Sequence, residues 1–291
     1  MISIGYLSSL LIELGIFFIL ALGTNIIVGL AGQVTIAQAA FFGLGAFFSG
    51  IFSTQLHINF VISIIVIFII IFILGGLLGM PSLRLSGDYL AIFTLGLGLF
   101  LQDLFSHLSI FGGTYGIVNI PMPTIFSLNP LYGYLIIVWI IVIILTIFFY
   151  IINKSWIGLS LKAIRENEMA AKSMGINHVK SKIFAFSLGS AYAGLAGALF
   201  GHFVGIAIYS SFGVDLSVQA LAMVIVGGLG TIFGSFVGAI LFIFLPESLR
   251  FISDYRILIY GLLIILFMRF EPFGLFGERS KIYEKLKEFF R

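Results

Sequence analysis

KSWIGLSLKAIRENEMAAKSMGINHVKSK, residues 154–182, is a polar island between two long apolar runs. It holds Lys154, Lys162, Arg165, Lys172, Lys180 and Lys182 against only Glu166 and Glu168. Loops rich in Lys and Arg stay on the cytoplasmic side of a bilayer, because carrying such charges through hydrocarbon is unfavourable; the island therefore orients everything around it. Good helix formers run from Leu159 to Ser173, and Gly175 stands where a left-handed cap would end a helix. The spacing predicts one helix over 159–175, with Leu161, Ile164, Ala171 and Met174 on one side and Lys162, Arg165 and Glu166 elsewhere. Such a helix suits a groove in a soluble partner. It also suits a basic membrane loop that folds on the surface with no partner.

The rest of the chain is mostly hydrocarbon. Of 291 residues 60% are hydrophobic and 9% charged, and the mean hydropathy is +1.21, far outside the soluble globular range. Runs such as 60–78, 131–152 and 257–268 carry almost no charge, and a helix needs roughly 20 apolar residues to cross a bilayer. They lack the alternation of barrel strands, so the expected fold is an all-α polytopic membrane protein. The start of the chain lacks the basic region and cleavage site of a signal peptide, so the first apolar run is expected to remain as a span. With no cysteine, disulfides and Cys-ligated metals are excluded. A net charge of +3 is small, and of the fifteen basic residues six lie in the island and six in the tail from Arg269 to Arg291, which gives nucleic acid no basic surface.

Working outward from the island, spans are expected at 8–28, 34–52, 60–78, 89–105, 131–152, 183–203 and 257–270. Between the last two, 216–245 is cut by Gly227-Gly228-Leu229-Gly230 into halves of about 14 residues, too short for a comfortable crossing. That reads as a re-entrant or broken-helix hairpin, giving about seven full helices plus the hairpin. Residues 1–270 then form the membrane domain, with its loop at 154–182 and a tail at 271–291 on the cytoplasmic side. The stretch 106–130 has no Lys or Arg but carries Gly112, Gly113, Pro121, Pro123 and Pro130, as an external loop of turns would. Gly197, Gly201 and Gly205, and again Gly230, Gly234 and Gly238, recur every four residues as close-packing stripes.

Three blocks carry a resemblance. Gly29-Leu-Ala-Gly-Gln-Val-Thr-Ile-Ala-Gln-Ala-Ala-Phe-Phe-Gly-Leu-Gly-Ala46, Gly87-Asp-Tyr-Leu-Ala-Ile-Phe-Thr-Leu-Gly96 and the island from Gly158 to Asn177 occur in order. Together they resemble the permease subunits of ABC importers for branched-chain amino acids, and the likeness extends to about Gly277. In that family the first block has His or Gln before Ala-Ala-Phe, and here Gln38 holds the place. The resemblance implies that the island is a coupling loop gripped by an ATPase, through Leu161, Lys162, Ile164, Arg165, Glu168, Ala171 and Gly175. It also implies a second permease, two cytoplasmic ATPase subunits and an external substrate-binding protein. Urea, short amides, sugars and nucleosides are the alternative cargoes.

The residues set limits beside this. No Gly-x-x-x-x-Gly-Lys phosphate loop is present, so any ATP is expected to be hydrolysed on another chain, and no cofactor is called for. His57, His107, His178 and His202 are scattered without metal-ligand spacing. Polar residues at membrane depth are functional candidates by default, because burying them in hydrocarbon is costly. Glu13, Asn25, Gln33, Gln38, Asp88, Thr94, Gln102, Asp103 and Gln219 qualify. Among them Gln33, Gln38, Thr94 and Gln219 are the pathway candidates, although Gln33, Gln38 and Thr94 suit hydrogen bonds between helices equally well. Asp88 reads as a helix N-cap. An ion-coupled carrier would need carboxylates in mid-span, and only Glu13 comes near that. A membrane scaffold that transports nothing would leave the external loop and the hairpin without a purpose.

Overall fold

The computed structural model describes residues 4–81, 85, 87–124, 129–248, 261–262, 265, 269 and 274–277. Helix α1 (Ile4–Thr24) continues into a π-helical turn, Asn25–Leu30, and α2 (Gln38–Thr54) follows after an extended stretch. Then come α3 (Phe60–Gly79), α4 (Asp88–His107) and α5 (Pro130–Lys154). Two short helices, α6 (Trp156–Glu166) and α7 (Glu168–Ser173), lead to the long α8 (His178–Val204), and α9 (Val214–Gly227) and α10 (Ile232–Ser248) close the bundle.

Among the described residues six helical segments are long and apolar enough to cross a membrane: Gly5–Leu30, Phe60–Gly79, Asp88–His107, Pro130–Lys154, His178–Val204 and Tyr209–Gly227. Gln38–Thr54 and Ile232–Phe244 are shorter apolar helices. The span expected over 34–52 thus begins four residues later, because the chain from Ala31 to Ala37 is not helical. The expected last span, 257–270, and the tail beyond Gly277 lie outside the described residues.

Helices α1 and α8 form the axis of the bundle and are buried along nearly their whole length. Their crossing needs glycine. A Cβ on Gly23 would lie 2.7 Å from the Gly189 carbonyl oxygen, and one on Gly189 would lie 2.5 Å from that of Gly23. Helix α2 meets α8 as closely: a Cβ on Gly197 would collide with the Phe42 carbonyl, and one on Gly45 with that of Gly194. Where lipid removes the hydrophobic drive between helices, such backbone approach supplies the packing. The two stripes are only partly packing positions. Gly201 rests against Ala46, but Gly205 is the left-handed cap of α8 at φ 79° and meets nothing closer than 3.8 Å. Gly234 and Gly238 do pack on α9, through the Gly228 and Met223 carbonyls, whereas Gly230 lies in the connection before α10 at φ 81°.

One end of the bundle carries the basic island, the connection between α9 and α10 and the Gly29–Gly32 turn. At the other end β1 (Ile117–Val118) pairs antiparallel with β2 (Ile206–Ala207). There His202 Nδ1 donates to the Pro121 carbonyl at 2.7 Å, tying the Pro-rich loop to the end of α8. The α9–α10 hairpin does not stop partway. Its tip reaches the basic end, where Asn153 in the last turn of α5 donates to the Gly230 carbonyl at 3.3 Å. Residues 274–276 fold back on the same tip: the Leu275 and Phe276 amides donate to the Val226 and Gly227 carbonyls, both at 2.9 Å.

Candidate functional site: the basic end and its helix pair

The island is not one helix. Asn167, at φ −156° and ψ 105°, interrupts it, and its side chain accepts from the Ala170 amide at 3.0 Å to start α7 afresh. An Asn offers the backbone a local bond that competes with the helix, so the helix predicted over 159–173 becomes a pair. Helix α6 starts earlier, at Trp156, capped by Ser155. At the far side Gly175, at φ 81°, closes α7: its amide donates to the Lys172 carbonyl at 3.0 Å and that of Ile176 to the Ala171 carbonyl at 3.1 Å. Those two bonds form a Schellman cap.

The faces divide differently from the predicted pattern. Leu161, Ile164 and Ala171 are buried against the chain's own bundle, so they seat the pair and offer no outward surface. Met174, expected beside them, is 84% exposed, and Met169, absent from the expected set, is 77% exposed. Glu166, Asn167, Ala170, Lys172 and Ser173 lie outward too. Lys162 is half-buried.

Arg165 and Glu168 turn inward. The Arg165 guanidinium donates to the Gly29 carbonyl, and its aliphatic stem lies over Gly32, where a Cβ would come within 2.8 Å of Arg165 Cγ. Lys182 Nζ donates to Glu168 Oε2 at 2.6 Å, and His178 Nε2 lies 3.9 Å from Glu168 Oε1, which locks α7 to the start of α8. Between these pairs and the loop before α4 is a cavity of about 270 Å³, lined among others by Gln33, Leu90, Ile164, Arg165, Glu168 and Lys182.

The pathway candidates are not gathered in one place. Gln33 faces that cavity at the basic end, and its buried Oε1 has no hydrogen-bond partner among the described residues. Gln38 opens α2 and is 1% exposed, with neither Nε2 nor Oε1 partnered among the described residues. Thr94 is a helix-to-loop pin, whose hydroxyl accepts from the Ile36 amide and donates to the Ala91 carbonyl, each at 3.0 Å. Gln219 is half-buried on α9. Asp88 is the first residue of α4 and not its cap, which is Gly87 at φ 58° with no side-chain bond; the carboxylate stands in the first turn, where it favours the helix dipole. Among the described residues no group of three or more His, Asp or Glu side chains could hold a metal ion.

Asn25 is one of the polar candidates that sequence alone left without a role. It is fully buried, accepts from the Gly230 amide at 2.8 Å, and donates through Nδ2 to the Thr231 carbonyl at 2.9 Å and to Ser235 Oγ at 2.7 Å. Its partners lie more than 200 residues away, so no local pattern could have paired them. The signal was only that an amide stands in an apolar helix.

A family model described as the permease component of branched-chain amino acid transport systems matches residues 6–268. The high-affinity branched-chain amino acid transport system permease protein LivM of Escherichia coli is 33% identical over 288 residues, covering 89% of this chain and 67% of that protein. The probable branched-chain amino acid transport permease protein LivM of Methanocaldococcus jannaschii is 26% identical over 339 residues, covering 98% and 97%. The ribose import permease protein RbsC of Haemophilus influenzae is 30% identical over 172 residues, covering 56% and 47%. No solved structure matches. With the match running from α1 to the last apolar run, and long helices built around a basic end, the chain belongs to the permease-component family of branched-chain amino acid transport systems.

Proposed function

We propose that this chain is one of two permease subunits of a binding-protein-dependent, ATP-driven importer, and that it carries branched-chain amino acids. The observation that carries the reading is the α6–α7 pair. Its apolar residues Leu161, Ile164 and Ala171 anchor it to the bundle, yet it still turns Met169 and Met174 outward beside Glu166 and Lys172. Flexible thioether side chains among charges suit a groove in a soluble protein, since they adapt to an irregular surface at low cost. The occupant is an ATPase subunit, and ATP is hydrolysed there, because this chain has no phosphate loop.

The basic end faces the cytoplasm and the chain enters the cell membrane from outside, in accord with the Lys and Arg count of the island and tail. The loop 154–182 and the tail 271–291 are then cytoplasmic, and an external binding protein delivers the substrate at the opposite end, where β1 and β2 meet. A second permease subunit packs on the face formed by α4 and α9, and Gln38 and Gln219 stand beside the path. Leucine, isoleucine and valine are favoured as cargo over a sugar, because the permease named for ribose matches only about half of the chain.

Reconstitution tests this. The chain is placed in proteoliposomes with a second permease, two ATPase subunits and the binding protein, and labelled leucine uptake is followed. Uptake that needs ATP and all the subunits is expected; uptake by this chain alone, driven by an ion gradient, would overturn the reading.

A further inference from the structure

A chain of hydrogen bonds runs from α6 into the α9–α10 hairpin through the single π-helical turn that follows α1. Arg165 on α6 holds the Gly29 carbonyl, in the π-helical turn Asn25–Leu30. Four residues earlier in the same turn, Asn25 holds the hairpin tip by the three bonds to Gly230, Thr231 and Ser235. The network fixes its own polarity: the Gly230 amide can only donate and the Thr231 carbonyl can only accept, so the Asn25 side chain fits one way round. It is also fully buried, where an amide left without partners would be costly.

The local sequence is shaped around these contacts. A Cβ on Gly29 would overlap Asn25 Oδ1 and lie 2.7 Å from the Gly230 amide nitrogen, so glycine alone lets the tip reach the turn. Gly32, at φ 68°, gives the same clearance to the stem of Arg165. The first and last residues of Gly29-Leu-Ala-Gly32 thus receive the hairpin and α6 respectively. A π-turn is itself an unusual place to attach two elements, because its wider i→i+5 bonds sit one hydrogen-bond step from an ordinary helix and such turns cluster at functional sites. Here the Ala31 amide donates to the Ile26 carbonyl at 3.3 Å in that register.

We propose that Asn25 and Arg165 are positioning residues for transport, forming with the π-turn a rigid joint that carries motion of the α6–α7 pair into the α9–α10 hairpin. This rests on the proposed docking of an ATPase on α6–α7. A displacement of α6 pulls Gly29, and the turn pulls the hairpin tip, so the path beside α9 changes shape without any direct contact between the ATPase and the hairpin. Removing either side chain disconnects hydrolysis from transport and leaves the docking surface of α7 as it was.

The test uses the reconstituted complex and the ratio of leucine moved to ATP hydrolysed. For Arg165→Ala and Asn25→Ala the expected result is complex recovery and ATP hydrolysis as in the wild type, with the ratio lower by about twofold to about thirtyfold, the range over which residues linking two sites change their coupling. Arg165→Lys, whose ammonium can still donate to Gly29, recovers part of the loss. An unchanged ratio, or transport and hydrolysis falling together, overturns the joint. A second measurement needs no disabling substitution. The natural chain has no cysteine, so spin labels go onto Trp156→Cys, Val218→Cys and Ile69→Cys, on α6, α9 and α3, all exposed positions. When ATP binds, the 156–218 distance is expected to hold while the 69–156 and 69–218 distances change together; a 156–218 change as large as the 69–156 change rejects the joint. If the wild-type complex itself moves no leucine with ATP, it is the proposed function that fails, which the label distances do not decide.

Discussion

Gln38 concentrates the tension between stability and use at a single residue. It is buried with both polar side-chain atoms unpartnered among the described residues, while its neighbour Ala39 has its amide satisfied by Ser217 Oγ at 2.9 Å. A buried group without a partner costs about 1–3 kcal/mol of desolvation, and an apolar residue of similar shape removes that cost. Gln38→Met is therefore expected to raise the thermal stability of the purified chain by roughly 1–2 kcal/mol, and to lower leucine transport if the amide serves a polar cargo or its water. A thermal melt in detergent beside an uptake assay checks both, and lower stability would mean that the side chain has a partner in the fold. Gln38 was visible in the sequence because a polar residue at membrane depth is costly. The sequence could not separate Gln38 from Thr94, which proved to be a pin; that difference depends on where Ile36 lies, and Ile36 is 58 residues away.

The helix pair carries the same lesson at the scale of an element. The helical period held within α6, so Leu161 and Ile164 were correctly grouped, and the left-handed stop at Gly175 was legible because glycine is the residue that adopts it at least cost. The break at Asn167 reset the phase, and with it the outward face. Met174 is no longer helical but the cap residue of α7, so the wheel that placed it inward did not apply. Outward methionines at 169 and 174, and not the predicted inward set, are then the residues to alter. Met169→Glu with Met174→Glu is expected to abolish co-purification with the ATPase subunit while leaving expression and melting temperature unchanged, since neither side chain packs on its own bundle. Leu161→Ala should do the reverse, lowering stability by about 2–4 kcal/mol through the cavity it leaves. If the double substitution binds the ATPase as the wild type does, the docking face lies elsewhere. Asn167→Ala removes a cap worth about 1 kcal/mol and, by letting α6 run on into α7, should weaken the same interaction without loss of the bundle.

Across the whole molecule, the order of the long helices could be read from apolar length, because the bilayer imposes that length, but their number could not: among the described residues 38–54 is too short to count, and 209–227, expected as half of a hairpin, is long enough to cross. Nor could it be read which helices form the axis. Burial of α1 and α8 follows from glycine contacts between segments that are distant in sequence, such as Gly23 with Gly189. The exposed faces also differ in kind. Helices α3 and α5 turn out Ile65, Ile69, Ile73, Ile140, Ile143 and Ile147, as lipid requires. Helix α4 is markedly less apolar and at least as exposed, with Ile92 and Phe100 outward on either side of Gly96, where a Cβ would meet none of the described residues within 4 Å. A notch between large residues leaves lipid poorly packed, whereas the backbone of another helix fills it, and small residues at exposed positions mark such approaches. The second permease subunit is accordingly expected at α4, with α9 beside it. Gly96→Leu tests this cleanly, since the open space leaves the single chain unstrained and leucine is the better helix former by up to about 1 kcal/mol. Pairing of the two permeases, read by cross-linking or by mass in detergent, should weaken by about 1–3 kcal/mol from overpacking. A bulky change on the lipid-like face of α5, Ile143→Trp, should leave pairing as it is. The opposite pattern, with pairing lost at 143 and kept at 96, would move the interface to α5 and leave the Gly96 notch of α4 in need of another partner.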